Sequence, residues 1–137
     1  MFFPAWRRGD SLEFFFSSRS EKSPYLTKYH HHFVFFPEKV EGVLAKEVTR
    51  FHFNDLHELA DPKELFVTVE NRPQGYILEA FLPAKVLFGY NPEHFSKVGF
   101  SYQINRFRSA STAFSVRAGE YALEKHPALW SFLVLKK

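Results

Sequence analysis

A chain of 137 residues with 45% hydrophobic and 24% charged side chains has the length and balance of one globular domain, and neither disorder nor a fibrous repeat fits it. The absence of cysteine excludes disulfides and thiolate metal sites. Lys and Arg number 18 against 15 Asp and Glu, a formal +3 scattered too thinly for a dedicated nucleic-acid surface, and no apolar run approaches the roughly 18 residues of a membrane-spanning helix.

The start, Met1 to Asp10, places Arg7 and Arg8 after its apolar residues and offers no small-residue cleavage site, so it does not read as a secretory leader. Eighteen phenylalanines favour strands, whose pleated surface suits flat rings. Leu12 to Phe16 predicts the first, with Leu12, Phe14 and Phe16 on one face and Glu13 and Phe15 on the other. A polar loop with Pro24 follows, then a second strand at His31 to Phe36 and a turn at Glu38 to Gly42. Val43 to Phe53 predicts a long third strand. Asn54 to Glu64 reads as an excursion with at most one or two helical turns.

Leu65 to Val69 and Tyr76 to Leu82 form a predicted hairpin around Pro73, followed by a helical turn at Ala84 to Phe88. The alternation is cleanest in Lys97 to Asn105, where Val98, Phe100, Tyr102 and Ile104 are expected inward and Ser101, Gln103 and Asn105 outward. Thr112 to Arg117 and Leu129 to Lys136 complete about eight strands. The fold class is therefore all-β, an antiparallel sandwich with scarcely any helix and a single domain over residues 1–137.

Chemistry is sparse in this pattern. His30 and His32 point to one side of a strand and His31 to the other, so the run cannot converge on one ion. A histidine pair would need a third ligand from elsewhere, with His52, His57, His94 and His126 as donors, and none sits in a known metal spacing. There is no GxSxG serine and no glycine-rich phosphate loop, so neither cofactor nor metal is expected. Glu13 and Glu79 are the one carboxylate pair on strands that hydrolysis could use, and both read more simply as hydrogen-bond anchors. Phe107 between Arg106 and Arg108 is a local aromatic and basic cluster without a nucleic-acid-binding signature.

Trp6 to Phe16, WRRGDSLEFFF, resembles the tryptophan, Asp-Ser-x-Glu and hydrophobic strand of family 9 carbohydrate-binding modules and the related DOMON-like sandwiches. Gly75 to Ala84, GYILEAFLPA, resembles the family's GYxxE strand and the turn after it. Val98 to Asn105, VGFSYQIN, resembles its xGFxxxxN strand, and Leu129 to Leu135 stands where the closing strand is usual. The resemblance implies a jelly-roll-like sandwich and a sugar ligand. By motif, Trp6 and Glu13 match the sugar-holding residues, with Gln103 and Asn105 of suitable type on the neighbouring strand. The second clamp tryptophan expected after that strand is absent, Phe114 being the nearest aromatic, and Arg106 stands where an acid often follows the Asn.

Members also carry several strands ahead of the Asp-Ser-x-Glu motif, whereas nine residues precede Asp10 here. An uncovered sheet, open to self-association or a partner protein, is the expectation. Three readings stand. They are a non-catalytic sugar-binding domain, marked by an exposed Trp6 beside Glu13; a structural or interaction domain, marked by an uncovered sheet; and an enzyme, marked by paired carboxylates or clustered histidines in a pocket.

Overall fold

A computed structural model describes residues 5–52, 54–114 and 122–136; expectations that fall on residues 1–4, on Phe53, on residues 115–121 or on Lys137 lie outside these. The described residues form eight strands: β1 (Ser11–Ser17), β2 (His30–Val40), β3 (Val43–Glu47), β4 (Phe66–Arg72), β5 (Gly75–Phe81), β6 (Lys97–Arg106), β7 (Ser109–Ala113) and β8 (Ser131–Val134). One sheet runs β3-β2-β1-β6-β7, with β8 pairing the opening half of β6, and β4 and β5 form a separate hairpin. All pairings are antiparallel. The architecture is the expected all-β sandwich.

Register divides the large sheet into two faces. Opposite Leu12, Phe14 and Phe16 of β1 lie Phe35, Phe33 and His31 of β2 and Ile104, Tyr102 and Phe100 of β6. This face meets the hairpin, where Phe33, Phe35, Ala45, Leu65 and Val86 are buried with Val67, Leu78 and Leu82 packed against them. The other face carries Ser11, Glu13 and Phe15 beside His32, Gln103 and Asn105. It is closed by the loops that bring Leu26, Leu123 and Trp130 onto Phe15. At roughly 25 cal/mol per Å², these two apolar clusters are the main favourable term in folding.

Val98 is buried as expected, but from Phe100 onward the burial of β6 is the reverse of its pattern. Ser101, Gln103 and Asn105, expected outward, are buried, while Phe100, Tyr102 and Ile104 are only half-buried. Hydrogen bonds explain the inversion, because the polar side chains are satisfied within the sheet, and the hairpin covers only part of the apolar face. Between sheet and hairpin remains an apolar cavity of about 450 Å³ lined by Leu12, Phe14, Phe35, Leu78, Tyr102 and Ile104 among others.

Several strands have bounds that differ from expectation. β2 runs on past Phe36 through Pro37 to Val40, with a register shift after Phe35. β3 stops at Glu47 because Thr49 Oγ1 takes over the next ladder position, accepting from the His32 N–H at 2.8 Å. The chain then swings away and returns His57 over the end of β3. β7 begins at Ser109, since Phe107 and Arg108 make the tight turn from β6, Arg108 with a positive φ of 55°. At the β2–β3 turn Glu41 and Gly42 are both left-handed, the mirror-image turn that matches sheet twist. The predicted helical turns are 3-10 turns at Pro62–Glu64 and Ala84–Val86.

Candidate functional site

Glu13 is fully buried at the centre of the loop-covered face, on the strand between β2 and β6. Such a carboxylate needs several donors. Arg7, from the 3-10 turn Ala5–Arg8, donates from Nε to Oε2 at 3.0 Å and from Nη2 to Oε1 at 2.7 Å. His32 Nε2 donates to Oε1 at 2.8 Å, and Asn105 Nδ2 to Oε2 at 2.9 Å. Gln103 Nε2 reaches Oε2 at 3.4 Å and Asn105 Oδ1 at 2.9 Å, and Ser111 Oγ closes the network on Asn105 Oδ1 at 2.7 Å. Burial works against the ionised form, but hydrogen bonds and charge from His32 and Arg7 outweigh it and bring Glu13 down from 4.5 to about 2. Arg7 also meets Glu124 at 3.1 Å.

Of the residues nominated from sequence, Glu13, Gln103 and Asn105 therefore come together, beneath the surface. Trp6 lies above them, half-buried, with Arg7 at 5.2 Å from its ring and the His32 ring edge-on at 6.3 Å. Glu13 thus anchors the turn that presents Trp6. Phe114 is elsewhere: its ring packs on Phe100 and Tyr102 at 4.9 and 5.5 Å, on the hairpin-facing side of the sheet, across the backbone from Glu13. Glu79 sits exposed on β5, in the other layer, so it shares no site with Glu13.

The open space beside Trp6 is a groove of about 490 Å³. Three rings line it: Trp6, Tyr76 at the start of β5, and Phe107 at the β6–β7 turn. Polar groups stand between them, namely Asp10, Glu38 and Lys39 from the edges of β1 and β2, and Asn71 from β4. Asp10 Oδ1 accepts the Phe107 N–H at 2.8 Å, which fixes the turn carrying that exposed ring. Desolvation and the Asp10 carboxylate push the Tyr76 phenol up, so it remains a neutral donor at neutral pH. Sequence reasoning missed Tyr76, Phe107, Asp10, Glu38 and Asn71 as a set. Tyr76 lay within the GYxxE resemblance and Phe107 within a basic cluster, but only the register brings the two turns to Trp6.

Aromatic faces with planar polar side chains between them suit a ligand with alternating apolar and hydroxyl surfaces. Glu13 is fully committed to donors and Glu79 stands in the other layer, so these two do not form a hydrolytic pair.

No family model and no curated protein sequence matches the chain. Solved structures do: a family 9 carbohydrate-binding module from Caldicellulosiruptor kristjanssonii in complex with glucose, at a TM-score of 0.64 and 16% identity, and the complex with cellotriose, at 0.61 and 16%. Each match covers 96% of this chain and 61% or 60% of the other. The fold is that of a family 9 module, and the chain spans about three fifths of the length of those modules.

Proposed function

We propose that this domain binds carbohydrate without acting on it, in the groove between Trp6, Tyr76 and Phe107. The observation that carries this reading is the convergence of three aromatic rings and four polar side chains on one open groove, in a sandwich whose structural neighbours were solved with glucose and cellotriose. Trp6 is the stacking platform. Asp10, Glu38 and Asn71 take the hydroxyls, and Glu13 with Arg7 holds the platform in place. Stacking contributes about 0.5–1.5 kcal/mol per ring beyond area burial, so an affinity near roughly 1 mM for a short glucan is expected. Titrating glucose and cellotriose by calorimetry tests it. Saturation in the native protein and loss in Trp6→Ala support the reading; no response at millimolar sugar, or an unchanged response in that variant, overturns it.

A second reading rests on a different observation. β8 is a sheet edge with no second neighbouring strand among the described residues, and it exposes Phe132, Leu133 and Val134. Such an edge favours pairing with β8 of another copy of this chain, which makes the domain an interaction module.

A further inference from the structure

On the hairpin-facing side of the sheet, well separated from the groove, Glu47 ends β3 with its side chain fully buried. Two imidazoles converge on one of its oxygens. His57 Nε2 lies 2.6 Å from Oε2 and His31 Nδ1 3.4 Å from the same atom, while the Thr49 hydroxyl donates to it at 2.6 Å. The other oxygen, Oε1, accepts the Ala60 N–H at 2.9 Å.

The outer nitrogens of both rings decide what the inner ones offer. His57 Nδ1 is 2.7 Å from the Lys28 carbonyl and His31 Nε2 is 3.3 Å from the Phe88 carbonyl. A carbonyl only accepts, so these nitrogens carry protons; His31 Nδ1 then turns a lone pair toward Glu47, while His57 Nε2 shares a proton with Glu47 Oε2 across their short contact. His31 Nδ1 is buried without a hydrogen-bond partner, a costly state that calls for an explanation.

We propose that His31 Nδ1, Glu47 Oε2 and His57 Nε2 form a binding site for a divalent cation of the zinc class. The three ligand atoms lie within 4.8 Å of one another. The spacing of 3.4 Å between His31 Nδ1 and Glu47 Oε2 matches the separation of about 3.3 Å that bonds of about 2.0–2.1 Å impose on a tetrahedral zinc. Without the cation, one proton lies between His57 Nε2 and Glu47 Oε2 and accounts for their short contact. The cation takes that proton's place, lengthens the contact, and engages the unpartnered His31 Nδ1.

The surroundings fit a metal site. Each imidazole donates its other N–H to a backbone carbonyl, the arrangement that orients histidine ligands and raises their basicity. Aromatic neighbours lock the rings: His31 stacks at 4° on Phe33, and His57 stands edge-on to Phe51 at 4.6 Å. A polar cavity of about 560 Å³ opens at His57, with Glu58, Asp61 and Glu64 against Lys85 on its walls, giving a cation an access route and leaving room for a water as fourth ligand. The histidine run thus contributes one ligand. Glu47 and His57 supply the rest.

The test uses the full chain without an affinity tag, titrated calorimetrically with Zn²⁺ and spectroscopically with Co²⁺. One equivalent should bind, Co²⁺ should show the intense visible bands of a low-coordinate N/O site, and Zn²⁺ should raise the melting temperature. His31→Gln and His57→Gln should each weaken binding by at least about 100-fold, beyond the roughly 10–100-fold that loss of an outer-shell partner costs. Replacing the exposed His94 and His126 with alanine should change it by less than about twofold. The absence of saturable one-equivalent binding in the native protein overturns the site, as does a Co²⁺ spectrum like that of the hydrated ion. Binding that survives both His31→Gln and His57→Gln also overturns it. If either variant fails to fold, the native titration and the Co²⁺ spectrum decide alone.

Discussion

Replacing Glu13 with glutamine would leave the Arg7 guanidinium, His32, Gln103 and Asn105 facing a neutral amide at the centre of a buried network. Breaking one partner of such a pair costs about 3–5 kcal/mol, because the other charge stays buried. Glu13→Gln is therefore expected to lose about 3 kcal/mol in urea denaturation, far more than a substitution at exposed Glu79. The same residue sets an acid limit. Its carboxyl is held at about 2 in the folded chain against 4.5 ordinarily, so the unfolded chain takes up the proton more readily. The stabilisation is fully present above pH 4.5 and is lost as pH falls toward 2, amounting to roughly 3 kcal/mol. Denaturation curves across that window should show the loss in the native protein and flatten in Glu13→Gln. A native profile without a slope there would show that the network does not depend on the carboxylate.

Turns and strand ends position the groove-lining side chains, and they were the least readable elements. The face alternation of β1 and of the three histidines was legible, because period-2 patterning follows from backbone geometry alone. The pairing of β4 with β5 was equally plain around Pro73. What could not be read was which face the loops cover. The polar side of β6 is buried because Glu13 gathers Gln103 and Asn105, a fact that no pattern within β6 contains. The early end of β3 depends likewise on a side chain, Thr49, replacing a backbone partner. Gly89 shows how tightly one such loop is held. Its φ is +81°, and an added Cβ would lie 2.7 Å from Ser18 Oγ and from the Tyr29 ring. Gly89→Ala is expected to cost more than about 2 kcal/mol, from left-handed backbone strain and the clash together. Thermal denaturation measures it, and a loss within about 0.5 kcal/mol would mean that the loop relaxes freely.

For the whole molecule, the sandwich is closed unequally. Loops seal the polar face around Phe15 and Trp130, whereas the hairpin leaves a cavity of about 450 Å³ over Leu12, Phe14, Tyr102 and Ile104. The edge at β8 adds three exposed apolar side chains. Sedimentation across a concentration series should show association of the native chain and its suppression by Val134→Lys, since a charge on an edge strand opposes pairing. A monomer at all concentrations would remove the second reading and leave the sugar-binding one intact. The groove itself lies on the same molecule but on other elements, with Trp6 before β1, Tyr76 at the start of β5 and Phe107 after β6. Sequence could name Trp6 through resemblance, but its meeting with Tyr76 and Phe107 depends on how hairpin and sheet are layered.

The most direct test of that layering as a binding site is to map amide and indole chemical shifts during a cellotriose titration. Saturable shifts should cluster on Trp6, Asp10, Asn71, Tyr76 and Phe107, with Phe114 and the residues around His57 unmoved. A contradictory result would be shifts centred on Phe114 and Tyr102, or no saturable shift anywhere at millimolar cellotriose.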